Sequence, residues 1–286
     1  MDLWFEEKIE IGFGTTLRVR VEESLCHFRS DFQDIAVLKT SRLGRMLVLD
    51  GIIMVTEFDE FAYHEMMVHV PMLVHPNPAH VLIIGGGDGG AVREVLRHPG
   101  VKEVHLCEID PQVVEVSKKY LPRLASRLDD PRVAVHYADG AKFVEDHPGR
   151  FDVIIVDSTD PSGPGEVLFK EPFYRNARNA LTEDGIVVAQ CESFFYHREV
   201  ISSLFSFLGG IFPSCHYYYS MVPTYPSGII GFSFGSKKLH PVEDYQEARF
   251  QALEGLRYYN PEVHRAAFKL PTFAQKTCSP PSNTAS

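Results

Sequence analysis

Two aspartates three positions apart, Asp157 and Asp160, follow the apolar run Phe151-Asp-Val-Ile-Ile-Val156. A β-branched run of that kind reads as a buried parallel strand, and open α/β sheets place ligands just beyond the carboxyl ends of such strands. Two acids at that edge suit a cationic substrate. The same stretch, Asp157-Ser-Thr-Asp-Pro161, is also good turn chemistry, so the pair taken alone leaves a purely structural capping role open.

A second chemical feature lies upstream. Val81-Leu-Ile-Ile-Gly-Gly-Gly-Asp-Gly-Gly90 runs from a strand through a glycine loop toward a helix, and Gly85, Gly87 and Gly90 satisfy the GxGxxG pattern. Glu108 follows 18 residues after Gly90, at the end of the next expected strand. A carboxylate there can accept both hydroxyls of a ribose, so a nucleoside-containing ligand is expected. Asp88 sits inside the loop. It would repel a pyrophosphate or the carboxylate of S-adenosylmethionine and attract an ammonium group, which favours an adenosyl ligand with a cationic, carboxylate-free tail. Decarboxylated S-adenosylmethionine fits that description. Asp139-Gly140 follows the third strand, where the acid can accept from an adenine amino group, cap the next helix, or do both.

These residues need elements to hold them. Alternation at 17–21, short apolar runs at 35–38, 46–49 and 52–55, and the hairpin signal Asp50-Gly51 predict a small antiparallel domain over residues 1–56. A helical pattern begins at Glu57 and runs to Pro76 and Pro78. Strands are then predicted at 81–84, 103–107, 133–136, 153–156 and 186–190, alternating with helices at 91–96, 111–121, 142–146, 169–181 and 196–208. Two further strands, 215–221 and 228–235, are joined too closely for a helix. The expected fold is α/β, a Rossmann-like, methyltransferase-type doubly wound sheet over 57–274 behind the N-terminal β domain. Residues 275–286 are polar and rich in Pro and Ser, and are expected to form a disordered tail.

Composition narrows the class. The chain has 286 residues, 44% hydrophobic and 23% charged, as in an ordinary globular protein. A net charge of −10 argues against a nucleic-acid partner. No apolar run reaches the length of a membrane span. Cysteines at 26, 107, 191, 215 and 278 form no CxxC pair, so neither a metal site nor a disulfide framework is expected, and the reading is a cytoplasmic protein.

Several segments together resemble the spermidine synthases, the polyamine aminopropyltransferase family. They are Asp50-Gly51, Asp59-Glu-Phe-Ala-Tyr-His-Glu-Met66, Gly85–Gly90, Cys107-Glu-Ile-Asp110, Asp157–Pro164, Leu168-Phe169 with Phe173-Tyr174, Gln190-Cys-Glu192 and Pro223-Thr-Tyr-Pro-Ser-Gly228. They span nearly all of the chain except the tail. The resemblance implies transfer of the aminopropyl group of decarboxylated S-adenosylmethionine to putrescine, giving spermidine and 5'-methylthioadenosine, with no cofactor. It implies Asp157 as general base, and Ser158, Thr159 and Asp160 at the diamine site. Asp88 and His64 would hold substrate amino groups, and Tyr63 and Tyr225 would line the channel. Gln33, Gly85, Gly87, Glu108, Asp139, Gly140 and Pro164 would surround the nucleoside, and residues 159–169 would form a closing loop. A homodimer or homotetramer is also implied. Other acceptors (cadaverine, agmatine, spermidine), a putrescine N-methyltransferase, an NAD-dependent oxidoreductase and a non-catalytic nucleoside-binding module are the competing readings.

Overall fold

The computed structural model of the chain describes residues 3–8, 14–159 and 163–278. Its N-terminal part is a five-stranded antiparallel meander, β1 (Leu3–Glu6), β2 (Arg18–Arg29), β3 (Asp34–Thr40), β4 (Arg45–Leu49) and β5 (Ile52–Thr56). The β4–β5 turn carries Asp50 at φ 51° and Gly51 at φ 87°. Two consecutive positive φ values define the tight hairpin turn that Asp-Gly prefers. β2 is much longer than its apolar alternation indicates. Residues 22–29 include charged and exposed side chains, and two bulges keep them paired with β3 while Leu25, Cys26 and Phe28 pack against the core.

The larger sheet has seven strands in the order β11-β12-β10-β9-β6-β7-β8. These are β6 (His80–Gly85), β7 (Glu103–Glu108), β8 (Val133–Tyr137), β9 (Phe151–Asp157), β10 (Leu181–Gln190), β11 (Ser214–Met221) and β12 (Ile229–Ser236). β12 runs antiparallel to both of its neighbours, and the other pairings are parallel. That is the methyltransferase-type sheet expected from the sequence. The strand order reverses between β6 and β9, so the crevice for a ligand opens where those two strands end.

Helices cover both faces. α1 (Glu60–Val74) and α2 (Gly90–Val95) lie on one side with Val81, Ile83, Val153 and Ile155. α4 (Gly140–Glu145), α5 (Glu171–Ala180) and α6 (Arg198–Ile211) close the other side, α5 and α6 over Leu82, Ile84, Ile154 and Val156. Consecutive strand residues are therefore all buried, which is why these strands read as continuous apolar runs. α3 (Pro111–Tyr120) instead joins the two parts: its Val113 and Val116 pack with Ile35, Val37 and Leu47 of the N-terminal sheet.

Some boundaries differ from the expectation. α5 begins at Glu171, after a 3₁₀ turn at Gly163–Phe169, and α6 runs three residues further, to Ile211. The first residues of the expected tail belong to the body. Helix Thr272–Gln275 buries Ala274 completely, Cys278 is 2% exposed, and its N–H bonds the Ala274 carbonyl. Apolar contacts offset the polar, Pro/Ser-rich composition there; residues 279–286 lie outside the described residues.

Candidate active site

A cavity of about 870 Å³ opens at the carboxyl ends of β6, β7, β8, β9 and β10 and is roofed by the N-terminal sheet. Gln33, Tyr63, His64, Gly85, Gly87, Asp88, Glu108, Asp139, Gly140, Asp157, Ser158, Thr159 and Tyr225 all line it. Asp160 lies outside the described residues. Pro164 falls in the 3₁₀ turn whose later residues, Gly165 to Leu168, border the cavity.

Asp157 is the last residue of β9. Gly85 is its register partner on β6, and Gly86 N–H bonds the Asp157 carbonyl at 2.9 Å. A Cβ on Gly85 would lie 2.2 Å from that carbonyl oxygen, and Gly85 has φ +75°. Glycine at 85 is thus required for the loop to cross β9, whatever it offers a nucleoside. One carboxylate oxygen of Asp157, Oδ1, accepts the Tyr63 hydroxyl at 2.8 Å. The other, Oδ2, has no hydrogen bond among the described residues. Burial and the neighbouring Asp88 charge push the Asp157 carboxyl up to about 6, against the opposing pull of His64 and Tyr63. A carboxylate near 6 with one open oxygen has the properties of a general base.

Glu108 ends β7 and is 7% exposed. Its Oε2 accepts the Gly87 N–H at 3.1 Å and its Oε1 the Asp110 N–H at 3.0 Å. Burial raises its carboxyl to about 7 despite those bonds. A Cβ on Gly87 would sit 2.8 Å from Glu108 Oε2, so this glycine makes room for the carboxylate. Asp139 realises one of its two expected roles directly, capping α4 through the Ala141 N–H at 2.8 Å while facing the cavity. Gly140 lets α4 approach β6, because a Cβ there would be 2.3 Å from Ile84 Cγ2. Gln33 reaches across the domain boundary and donates to Asp110 Oδ2 at 2.9 Å, beside Ser30 Oγ at 2.7 Å. The fully buried Asp110, which also caps α3, is one bond between roof and floor.

Tyr63 and Tyr225 form an edge-to-face pair with centroids 5.8 Å apart. The Tyr225 hydroxyl is donated to the Met54 carbonyl of β5, so its ring serves as wall. Ser158 Oγ is buried with no hydrogen bond among the described residues.

The structure adds residues that carried no assigned role in the sequence. Glu192, just past β10, has φ 56° and is 4% exposed. Its carbonyl accepts the Tyr217 hydroxyl at 2.6 Å and the Gly231 N–H at 2.9 Å, and its Oε2 lies 2.9 Å from His197 Nδ1. Glu192, Ser193 and His197 form the end of the cavity remote from Glu108 and Asp139. The Gln190-Cys-Glu192 segment was the available signal. Its backbone is held by Tyr217, which the sequence places no nearer than any other aromatic. Among the described residues no set of His, Cys, Asp and Glu is gathered to hold a metal ion.

A methyltransferase-type sheet with Glu108 and Asp139 at the ends of β7 and β8 and the acids Asp88 and Asp157 at the switch point, all lining one cavity, has the form of a nucleoside-dependent transferase. Comparison with known proteins makes the family specific. Residues 60–246 match the spermine/spermidine synthase domain, and residues 3–57 match the spermidine synthase tetramerisation domain. The chain is 54% identical over 275 residues to a polyamine aminopropyltransferase of Leptospira biflexa, covering 96% of this chain and 98% of that one. It is 47% identical over 276 residues to the one from Caldicellulosiruptor saccharolyticus, with the same coverages. Its fold superposes on the crystal structure of spermidine synthase from Thermotoga maritima with a TM-score of 0.92 and 42% identity, covering 96% of this chain and 94% of that one. A spermidine synthase in complex with the transition state analogue AdoDATO matches at a TM-score of 0.93 and 42% identity, with the same coverages. This chain belongs to the spermidine synthase family: it is a polyamine aminopropyltransferase.

Proposed function

We propose that the aminopropyl donor is decarboxylated S-adenosylmethionine, that the acceptor is putrescine and that the product is spermidine. The observation that carries this reading is the acid pair Asp88 and Asp157 in one cavity, beside a nucleoside wall built by Glu108 and Asp139. Glu108 takes the ribose hydroxyls, Asp139 the adenine edge, and Asp88 the ammonium of the aminopropyl arm. An intact S-adenosylmethionine would bring its carboxylate against Asp88, which disfavours N-methyl transfer. A dinucleotide would bring its pyrophosphate there, which disfavours the oxidoreductase reading.

The acceptor enters as a dication, since alkylamines have pKa values near 10. Asp157 Oδ2 removes one proton, and Tyr63 holds the other carboxylate oxygen in place. The freed nitrogen lone pair attacks the propyl carbon bonded to sulfur. The C–N bond forms, the C–S bond breaks, and its electron pair neutralises the sulfonium as 5'-methylthioadenosine leaves. No metal or redox group is required, because the sulfonium is already a good leaving group; alignment and exclusion of water remain. The far ammonium is held at the other end of the cavity by Glu192. The distance between base and far acid sets acceptor length.

We also propose that the N-terminal sheet assembles the chain into an oligomer. Leu3 and Trp4 on the edge strand β1 are 55% and 50% exposed, which leaves a large apolar side chain on each face of the sheet edge.

Mass analysis of products from decarboxylated and intact S-adenosylmethionine with putrescine, cadaverine, agmatine and spermidine tests the reading. Spermidine formed from the decarboxylated donor and putrescine is the expected result. A preference for another amine, or equal use of both donors, overturns it.

A further inference from the structure

His64 lies on α1, one residue from Tyr63, and is 1% exposed. Both of its ring nitrogens face carboxylates: Nδ1 is 2.7 Å from Glu60 Oε2, and Nε2 is 3.5 Å from Asp88 Oδ1. A neutral imidazole carries one N–H and can donate to only one of them. Glu60 is ionised, because the salt bridges from His64 and Arg93 outweigh burial and hold its carboxyl down at about 2. Burial opposes the charge on Asp88 too, yet His64, the Gly90 N–H and Arg93 hold it below the ordinary value. Between two carboxylates the ring is an imidazolium, in keeping with a pKa well above 6.5 that Asp88 and Glu60 sustain against burial.

An imidazolium has no lone pair to offer a substrate ammonium and would repel it. The ring also cannot turn aside. It fills the space above Gly90, where a Cβ would lie 2.3 Å from His64 Cε1. This accounts for the third glycine of the loop motif by the needs of a histidine rather than of a phosphate. Behind it, Arg93 grips Glu60 through both terminal nitrogens, at 3.1 and 2.8 Å. Charges alternate inward from the cavity: Asp88, His64, Glu60, Arg93.

We propose that His64 is a positioning residue: Glu60 and Arg93 fix its cation against Asp88, so that two acids, Asp88 and Asp157, stay ionised side by side in one cavity. The inference deepens the reading of Asp157 as general base. The groups facing Asp157 are Tyr63 and His64 from α1 and Asp88 from the β6–α2 loop. Those facing His64 are Glu60 on its own helix, Asp88, and Asp157 from β9, while Arg93 from α2 acts on it through Glu60. His64 supplies the cation nearest to the acid pair. Without it, repulsion from Asp88 acts undiminished on Asp157, which then holds its proton at neutral pH.

The test follows aspartate carboxyl carbons by NMR in ligand-free wild type and His64→Gln, with the Asp157 signal assigned from Asp157→Asn. Kcat–pH profiles of all three are recorded at saturating substrates. In His64→Gln the Asp157 titration and the acid limb of kcat should both move up by about one pH unit or more, the scale of losing an opposite charge within 4–6 Å. An unmoved Asp157 titration overturns the role of His64. If that titration moves but Asp157→Asn keeps the wild-type acid limb, the role of His64 stands and the assignment of Asp157 as base fails. Should His64→Gln not fold, ¹⁵N-histidine NMR of the wild type decides. A ring protonated on both nitrogens at pH 7–8 is expected, and a neutral His64 overturns the proposal.

Discussion

At the scale of single residues, the site depends on carboxylates kept in unlike states. Asp157 is raised to about 6 by burial and by Asp88, so kcat/KM should fall tenfold per pH unit below about 6, where the base is protonated. Asp157→Asn keeps the size but cannot take the proton. Its turnover should drop by about 10²–10⁴-fold, and part of the loss should return at high pH as more diamine arrives neutral. Steady-state profiles of the two proteins check both statements. Glu108 illustrates the cost of such a site. Its carboxyl rises from an ordinary 4.5 to about 7 on folding, so above pH 7 its charge destabilises the ligand-free protein. That cost disappears as pH falls through 7 to below 4.5, where folded and unfolded states are both protonated. At about 1.4 kcal/mol per pH unit the ceiling is about 3 kcal/mol. Glu108→Gln removes that charge but sets its amide NH2 against one of the two backbone N–H groups that the carboxylate accepts, so the free protein should gain less than this ceiling at pH 8 and lose about 1–3 kcal/mol at pH 4, where the charge cost is absent. The same substitution should weaken donor binding by about 10–100-fold through the lost charge-assisted bonds to ribose. Urea unfolding at two pH values and calorimetric titration of the donor measure the two effects.

Among the elements, the glycine loop between β6 and α2 does the most. The nucleoside-binding pattern of its sequence is real, but each glycine answers to a particular neighbour. Gly85 clears the Asp157 carbonyl, Gly87 clears Glu108, and Gly90 clears His64. The loop can pass between three functional side chains because it carries no Cβ at those points. Gly85→Ala meets both a left-handed φ and a backbone oxygen at 2.2 Å. The expected cost is about 2–5 kcal/mol in urea unfolding. Turnover should fall in the refolded protein, because any relief displaces the end of β9 and with it Asp157. Unchanged stability would show that the loop has slack the structure does not display. α1 is the other working element. Its face toward the sheet delivers Tyr63 to Asp157 and its next residue delivers His64 to Asp88, which adjacent positions achieve only where a helix end points into the cavity.

For the molecule as a whole, two sheets share one cavity, and Asp110 joins them. Ser30 and Gln33 of the N-terminal part both donate to it, so the roof is tied to the residue that caps α3 and follows the β7 acid. The outer edge of the same sheet exposes Leu3 and Trp4, with Arg18 lying over the indole at 5.5 Å. Trp4 is the sole tryptophan of the chain, so one substitution and one signal report on assembly. Trp4→Glu should lower the molar mass seen by light scattering to that of a smaller species at micromolar concentration. Diluting the wild type should shift its fluorescence toward the red as the indole meets water. An unchanged mass would place the interface elsewhere.

The strand pattern and the chemistry of the strand ends were legible in the amino-acid order, because a sheet covered on both faces must be written as apolar runs and its ligand acids must stand where those runs stop. Asp157, Glu108 and Asp139 were found that way. Asp-Gly at 50–51 was legible for a similar reason, since the turn needs two positive φ values and few residue pairs supply them. What the tertiary structure decided were relations between distant segments. Burial of Cys278 against the α5–α6 face of the sheet, the length of β2 and the position of Glu192 each depend on a partner far along the chain, and composition averages such partners away. His64 shows the limit most directly. Its neighbours in sequence match a family motif that implies amine binding, but its charge state is set by Glu60 one turn earlier and by Asp88 on another element. A local pattern can name a residue; only packing determines which carboxylates surround it and hence which proton it keeps.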